Sequence, residues 1–330
     1  MTYLLSILDK SPIPAGGTPE DAFETTRAYA RLADALGFHR FWVAEHHDSQ
    51  LVAGSAPELL VAHILAITSR IRVGTGGVLL RHYSAYRVAE LFGVLSALAP
   101  GRVDLGIGKA GGGFPQTARA LQGTKAHIGI EDKVSELDAF LRNSLPSDHP
   151  LAGAVARPLP GELPERFYLG ASEESATFAA NIGWGFVHAG HFDGDPAGTQ
   201  RSFAAYRQIA GRNPLLAIHA IAAASTEEAL KLAGEHHIYK AIFPDGHRAN
   251  LGTEEAVAEY ARQYGLDDYR IEKKTPHIIA GTPDYIRREL DRLHHEFGAA
   301  EIIIDSPVAD PTARLKSIEL IASTFQRAAA

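Results

Sequence analysis

Hydrophobic and polar positions follow two alternating patterns along the chain, one typical of short strands and one typical of amphipathic helices. Short apolar runs bounded by glycine and proline predict strands, and apolar positions repeating at helical spacing predict helices. The predicted strands span residues 3–8, 40–45, 71–75, 103–107, 167–169, 185–189, 215–222 and 301–305. The predicted helices span residues 19–36, 56–68, 85–98, 131–145, 173–182, 196–210, 226–239, 254–264, 283–297 and 311–326.

This alternation of strands and helices indicates a parallel sheet, and the number of strands favours a closed α/β barrel of the (β/α)8 type, a TIM barrel. The chain has 330 residues, whereas such a barrel typically needs ~250. We assign the surplus to loop insertions at about 109–165 and 241–281. No low-complexity linker divides the chain, so we predict a single domain over residues 1–330.

Charge and composition narrow the function classes. The chain carries 32 Lys and Arg against 39 Asp and Glu, a net charge of -7, which disfavours binding to nucleic acid or to an anionic membrane. It has no cysteine, so disulfides, thiolate nucleophiles and cysteine metal sites are excluded. No signal-peptide pattern or apolar run of ~18 residues is present. We expect a cytoplasmic protein that acts on a small molecule.

In such a barrel, functional residues follow the C-terminal ends of the strands. Glu45, His46 and His47 end the second predicted strand. A histidine beside a carboxylate is a common general acid–base pair, because the pKa of histidine lies near neutrality. A structural histidine is the alternative. A zinc site needs more ligands than this segment offers, and the His188-x-x-His191 pair lacks a helix to present it, so we predict no metal.

Glycine-rich turns follow the third and fourth strands. Gly76 and Gly77 either form a tight turn or let a ring or a backbone approach closely. Residues 106–111 match the pattern G-x-G-x-x-G, but no helix opens at once and no acidic residue ends a following strand at the required distance, so a dinucleotide site is disfavoured. A glycine-rich turn with one cation, Lys109, suits a phosphate monoester.

The fifth strand is followed by Ser172 and Ser175 at the start of a predicted helix. A serine in this position caps the helix, and the free N–H groups of a helix N-terminus can bind an anion. A plain helix cap is the alternative. Together with Lys109 from the preceding unit, these serines favour a phosphate site, which barrel loops commonly provide.

Three segments resemble the bacterial luciferase-like flavin-dependent monooxygenases. They are FWVAEHH at 41–47, IRVGTGGVLL at 71–80 and PGRVDLGIGK at 100–109. Their order and spacing, together with the segments at 281–283 and 301–305, extend the resemblance over nearly the whole chain. Within that superfamily, the sequence is most similar to the single-chain luciferase-like oxidoreductases.

The resemblance implies a TIM barrel that binds FMN, taken up as FMNH2 from a separate NAD(P)H:flavin reductase. It implies that reduced flavin and O2 form a C4a-(hydro)peroxyflavin that oxygenates a small organic substrate, and that the protein is a homodimer. Residue by residue, it implies that His46 with Glu45 handles the oxygenated flavin. It also implies that the Gly76-Gly77 peptide, often cis in the family, lies against the flavin ring. The implied phosphate-binding residues are Lys109, Ala171, Ser172 and Ser175.

The sequence departs from the family pattern near the substrate side. Lys109 stands where relatives have arginine, which would bind phosphate as a planar fork. Residues 81–85 lack the usual proline turn, and residues 111–114 replace a more polar loop. The charged 241–281 insertion is a candidate lid or a solvated face. Two other functions stay open: a deazaflavin (coenzyme F420)-dependent hydride-transfer oxidoreductase, and a non-catalytic flavin-binding protein.

Overall fold

Parallel strands form a closed barrel in the computed structural model, which describes residues 3–109, 113–123, 128–191 and 194–326. The barrel is closed because its first strand pairs with both the second and the last strand, with Ile7 opposite Phe41 on one side and Ile304 on the other. The predicted (β/α)8 fold is confirmed. In barrel order, the strands are β1 (Leu4–Asp9), β2 (Arg40–Val43), β3 (Arg72–Thr75), β4 (Val103–Gly108), β5 (Glu165–Gly170), β6 (Gly185–Ala189), β7 (Leu215–Ala222) and β12 (Glu301–Asp305).

Helices surround the strands, and several of them begin at a capping side chain. Thr18 and Asp21 form a capping box at the start of the first helix, and Gly37 ends that helix in a left-handed conformation. None of the helices within the described ranges is long and apolar enough to cross a membrane. The helices are α1 (Pro19–Leu36), α2 (Pro57–Ile67), α3 (Ala85–Leu98), α4 (Pro115–Gln122), α5 (Ile130–Leu141), α6 (Glu173–Asn181), α7 (Pro196–Ala210), α8 (Thr226–Ala233), α9 (Glu254–Tyr264), α10 (Pro283–Phe297) and α11 (Pro311–Gln326).

The segment before and within the predicted 241–281 insertion differs from the prediction. The helix predicted over 226–239 ends at Ala233, because Gly234 adopts a φ of 59° and closes it. Three antiparallel strands follow, β8 (Ile238–Ile242), β9 (Arg248–Leu251) and β10 (Arg270–Lys274), with α9 packed against them. A further unpredicted strand, β11 (Ile278–Gly281), pairs with the C-terminal half of β7.

The segment between β4 and β5 contains two helices rather than one. Helix α4 was not predicted, and the helix predicted over 131–145 ends at Leu141. Helix α4 is short and buries none of its residues, so its apolar pattern is weak. Gln116 at its start donates its backbone N–H to Gln263 of α9 at 3.1 Å. The two insertions therefore contact each other above the barrel.

A buried network of charges fills the end of the barrel where the strands begin. Arg40 lies 2.9 Å from Asp104 and 3.0 Å from both carboxylate oxygens of Glu301. Burial opposes a charge on Arg40, but the carboxylates of Asp104 and Glu301 outweigh it and raise the pKa of the guanidinium. Asp104 also accepts a hydrogen bond from the indole of Trp42 at 2.9 Å. The network therefore holds the indole of Trp42 in position, and Trp42 also lines the cavity described below.

Candidate active site

A cavity of about 270 Å³ opens at the C-terminal ends of the barrel strands. Its floor is apolar and belongs to the inner layer of the barrel, where side chains of alternate strands meet. The cavity is therefore lined mainly by apolar side chains with a few polar groups, as is usual for a small-molecule site. The apolar lining residues are Leu8, Trp42, Ala44, Leu79, Leu169, Val187, Ala189, Ala217 and Ile303.

Gly76 and Gly77 border this cavity, and the peptide bond between them is cis, as the resemblance implies. A side chain at Gly77 would clash with backbone atoms, whereas one at Gly76 would meet the movable end of another side chain. A Cβ on Gly77 would lie 2.6 Å from the carbonyl oxygen of Gly106, and a Cβ on Gly76 would lie 2.7 Å from the Cδ1 atom of Leu8. Glycine is therefore required at position 77 by the close approach of the β4 backbone, and both glycines leave a flat backbone surface on the cavity wall.

Glu45 lies beyond the end of β2, since the strand stops at Val43 rather than at residue 45 as predicted. Its carboxylate is buried and fully engaged. It accepts hydrogen bonds from the backbone N–H of Leu79 at 2.9 Å and from the hydroxyl of Tyr83 at 2.7 Å, and it lies 2.7 Å from Nε2 of His47. Glu45 thus ties the segment after β2 to the segment after β3, and it acts as a positioning residue in this arrangement.

His46 faces the cavity between these two segments. Its backbone N–H donates to the carbonyl of Gly54 at 2.8 Å, which fixes the loop. Its buried Nδ1 atom has no hydrogen-bond partner within the described part of the chain. Burial and the neighbouring charge of Lys10 lower the pKa of His46 to about 4, against the opposing effect of Asp305. The imidazole is therefore neutral near pH 7 and offers one donor and one acceptor nitrogen.

A second polar group, which the sequence analysis missed, lies at the ends of β1 and β12. Lys10 lines the cavity, and its ammonium lies 2.5 Å from the buried carboxylate of Asp305. His219 approaches the same carboxylate at 3.5 Å, and its ring centre lies 5.2 Å from that of His191. Lys10 directly follows the first strand, so the rule for barrel strand ends applies to it, whereas His219 lies within the seventh strand and carries no such signal.

Burial and charge act in opposite directions within this group. Burial raises the pKa of Asp305, but Lys10 and the two histidines outweigh it, so the pKa falls below its usual range and the carboxylate stays ionised. Burial lowers the pKa of His191 to about 3 and also lowers the pKa of His219. Near pH 7 the group therefore consists of one ion pair and two neutral imidazoles.

The predicted phosphate residues lie on the opposite side of the barrel mouth. Lys109 and Ala171 line the cavity, whereas Ser172 and Ser175 lie beside it at the start of α6. Ser172 caps that helix by accepting the backbone N–H of Ser175 at 3.3 Å. The ammonium of Lys109 is paired with Glu131 at 3.2 Å. Residues 110–112 of the glycine-rich turn lie outside the described residues.

Acidic residues also lie at the start of α6. Glu173 pairs with Arg201 at 2.9 Å, and a hydrogen bond to Ser172 lowers the pKa of Glu174. Carboxylates at a helix N-terminus are favourable for the helix, but they compete with an incoming anion. An anion bound here must therefore share Lys109 with Glu131.

The His188-x-x-His191 pair does not form a metal site in the described ranges, 3–109, 113–123, 128–191 and 194–326. His188 points into the protein, where Ser202 Oγ lies 2.7 Å from its Nδ1 and Thr199 Oγ1 lies 3.2 Å from its Nε2. No group of three or more potential ligands that could hold a metal ion occurs in those ranges. His188 therefore joins β6 to α7, while His191 turns to the cavity.

Comparison with known proteins places this site in a family. The model of the luciferase-like monooxygenase family matches residues 3–301. The chain is 39% identical to the N-acetyl-S-alkylcysteine monooxygenase of Bacillus subtilis (strain 168) over 323 residues, which are 96% of each protein. It is 31% identical to a luciferase-like monooxygenase of Escherichia coli (strain K12) over 97% of this chain and 96% of that protein.

Solved structures agree with this assignment. The crystal structure of apo-MsnO8 superimposes with a TM-score of 0.78 at 30% identity over 99% of both chains. More distant matches show the fold alone. They include the FMN complex of the oxygenating constituent of 3,6-diketocamphane monooxygenase from Pseudomonas putida, at 19% identity, 98% and 97% coverage and TM-score 0.69. They also include an F420-dependent secondary alcohol dehydrogenase, at 15% identity, 97% and 99% coverage and TM-score 0.67. The chain belongs to the luciferase-like monooxygenase family of enzymes.

Proposed function

We propose that the protein is the oxygenating component of an FMN-dependent, two-component monooxygenase, supplied with reduced FMN by a separate NAD(P)H:flavin reductase. One observation carries the proposal: a neutral His46, with its buried Nδ1 unpartnered among the described residues, faces an apolar cavity walled by a cis glycine pair. Such a histidine can donate or accept a hydrogen bond at a reacting centre while it stays uncharged.

The residues of the cavity fit a flat aromatic ring with a phosphate tail. The backbone of Gly76 and Gly77 and the apolar floor around Trp42 suit the ring, and Lys109 with the turn at Ala171 suits the phosphate. Reduced FMN, when bound, supplies the electrons that activate O2. The protein orients the ring, excludes water with its apolar walls, and holds a proton donor or acceptor at His46.

The substrate we propose is a small thioether. The Bacillus subtilis relative is named for N-acetyl-S-alkylcysteines and covers 96% of this chain. The cavity walls are mainly apolar, as an S-alkyl group requires. N-acetyl-S-methylcysteine is therefore the first substrate to test on this protein.

The cofactor is tested by titrating the purified protein with FMN, reduced FMN and reduced deazaflavin, and by following NADH oxidation and O2 uptake with an added flavin reductase. We expect both FMN forms to bind and O2 uptake to yield oxygenated product. If the protein binds deazaflavin but neither form of FMN, the proposal is wrong and the hydride-transfer alternative is supported. FMN binding without product from any thioether would favour the non-catalytic flavin-binding protein.

The phosphate site is tested separately with Lys109→Ala and Ser172→Ala. Lys109 is partly exposed, so the loss should be modest, about fivefold weaker FMN binding for a contact of ~1 kcal/mol. Riboflavin, which has no phosphate, should bind each variant as it binds the wild type. Lys316→Ala, an exposed lysine of α11, is the matched control. Equal losses of affinity for FMN and riboflavin would show that these residues do not bind the FMN phosphate.

A further inference from the structure

We propose that Lys10, held by Asp305, forms a subsite that binds a carboxylate group of the substrate. The inference rests on the proposed function, because it names the part of the proposed substrate that this side of the cavity recognises. Its basis is the position of Lys10 at the end of β1, on the cavity wall, with its ammonium 2.5 Å from a carboxylate that is buried beneath it.

The cavity has two lysines among its described lining residues, and they lie on opposite sides of the barrel mouth. Lys109 follows β4, next to the start of α6 after β5. Lys10 follows β1, next to β12. In the barrel order, β2 and β3 separate these two places on one side, and β6 and β7 separate them on the other. If Lys109 serves the cofactor phosphate, Lys10 lies at the far end, where a second anionic group can bind without competing for the same cation.

Asp305 fixes Lys10 in place and leaves part of its ammonium accessible. The Asp305 side chain is 1% exposed, whereas the Lys10 side chain is 31% exposed. An ammonium has three donor hydrogens, and the ion pair needs one of them. The remaining donors can serve a ligand, because the Lys10 side chain also lines the cavity. A lysine that is already ordered by a buried partner loses little conformational freedom when it binds a ligand.

The other polar groups around Lys10 do not supply a second charge for an anion. His46 on the neighbouring strand segment and His191 after β6 both have lowered pKa values, about 4 and about 3, because they are buried. His219 lies behind Asp305. An anion on this side of the cavity is therefore recognised by the charge of Lys10.

The position also orients the substrate. Lys10 and His46 extend from neighbouring strands, β1 and β2, onto the wall of one cavity. A molecule anchored by its carboxylate at Lys10 therefore lies beside His46, with its apolar part over the floor formed by Leu8 and Ile303. Fixing one end of a small substrate in this way places the other end for reaction.

The test compares N-acetyl-S-methylcysteine with its uncharged primary amide, by calorimetric titration into the protein loaded with oxidised FMN. Oxidised FMN prevents turnover, so the measurement reads binding alone. Lys10→Met alone would leave Asp305 as an uncompensated buried charge and could impair folding. The double variant Lys10→Met/Asp305→Asn removes both charges, Lys10→Arg keeps the cation, and Lys316→Met is a surface control.

We expect the wild type to bind the acid about tenfold more tightly than the amide, because a charge-assisted hydrogen bond in an apolar cavity is lost with the amide. The ratio should fall to about one in the double variant and persist in Lys10→Arg and Lys316→Met. Equal binding of acid and amide by the wild type, or an unchanged ratio in the double variant, would overturn the proposal. If FMN does not bind, the proposed function fails, and the same titration into the protein alone still reads the dependence on Lys10.

Discussion

Replacing His46 with alanine should leave FMN binding nearly intact and lower the yield of oxygenated product by about a hundredfold, with the consumed O2 recovered as H2O2. The side chain borders the cavity without supporting the fold through its ring, since Nδ1 has no partner among the described residues. Its removal therefore takes away a proton donor or acceptor and opens space for water. The measurement is product formed per NADH oxidised, alongside the dissociation constant for FMN.

The contribution of His46 to product yield should also depend on pH, because it depends on the protonation state of the imidazole. Burial lowers the pKa of His46 to about 4, so the imidazole gains its proton only below that pH. The contribution of His46 to product yield should be constant from about pH 6 to about pH 8 and should be lost as the pH falls toward about 4. His295→Ala, at an exposed histidine of α10, is the control. An unchanged product yield in His46→Ala would remove His46 from the mechanism.

Replacing Arg40 with methionine should lower the free energy of unfolding by about 3–5 kcal/mol. Arg40 binds Glu301 through two hydrogen bonds of 3.0 Å, and the variant leaves the carboxylate of Glu301 buried, with the hydroxyl of Ser6 as its one remaining side-chain donor among the residues that the structure describes. Asp104 is affected less, because Arg72 and Trp42 also donate to it. The cost therefore arises mainly from an uncompensated charge at Glu301.

Urea unfolding of three variants separates this cause from a loss of packing. Arg40→Met/Glu301→Gln removes both charges and should recover part of the stability lost in Arg40→Met. Arg87→Met breaks an exposed pair with Glu90 and should cost less than about 1 kcal/mol. A loss in Arg40→Met no larger than that in Arg87→Met would show that the buried network does not stabilise the barrel.

The barrel was predictable because most of its strands carry a short apolar run, as a strand buried on both faces requires, although Arg72 and Asp104 interrupt the runs of β3 and β4. The site residues at strand ends were predictable for the same reason. His46, the glycine pair and Lys109 follow buried strands, and the structure places all of them on one cavity. Ser172 and Ser175 were predicted at the start of α6 and are there, but beside the cavity rather than on its wall.

The inserted sheet was not predictable from the same signals. Strands β8 and β10 are short and largely half-exposed or exposed, and each contains charged residues, as in the segment RIEKK at 270–274. They form strands because they pair with each other and pack against α9. Such tertiary contacts cannot be predicted from the local sequence pattern. The pairing of Lys10 with Asp305 was missed for a related reason. It joins the first and last strands of the barrel, which meet only when the barrel closes.

The central claim, that the protein transfers oxygen from O2 by means of reduced FMN, is tested most directly by a single turnover with isotopically labelled oxygen. Protein, photoreduced FMN and N-acetyl-S-methylcysteine are mixed with ¹⁸O₂, and the products are analysed by mass spectrometry. We expect one labelled oxygen atom in the organic product, with the other in water, and no product when reduced deazaflavin replaces FMN. Label found only in hydrogen peroxide and water, together with hydride transfer from reduced deazaflavin, would contradict the account.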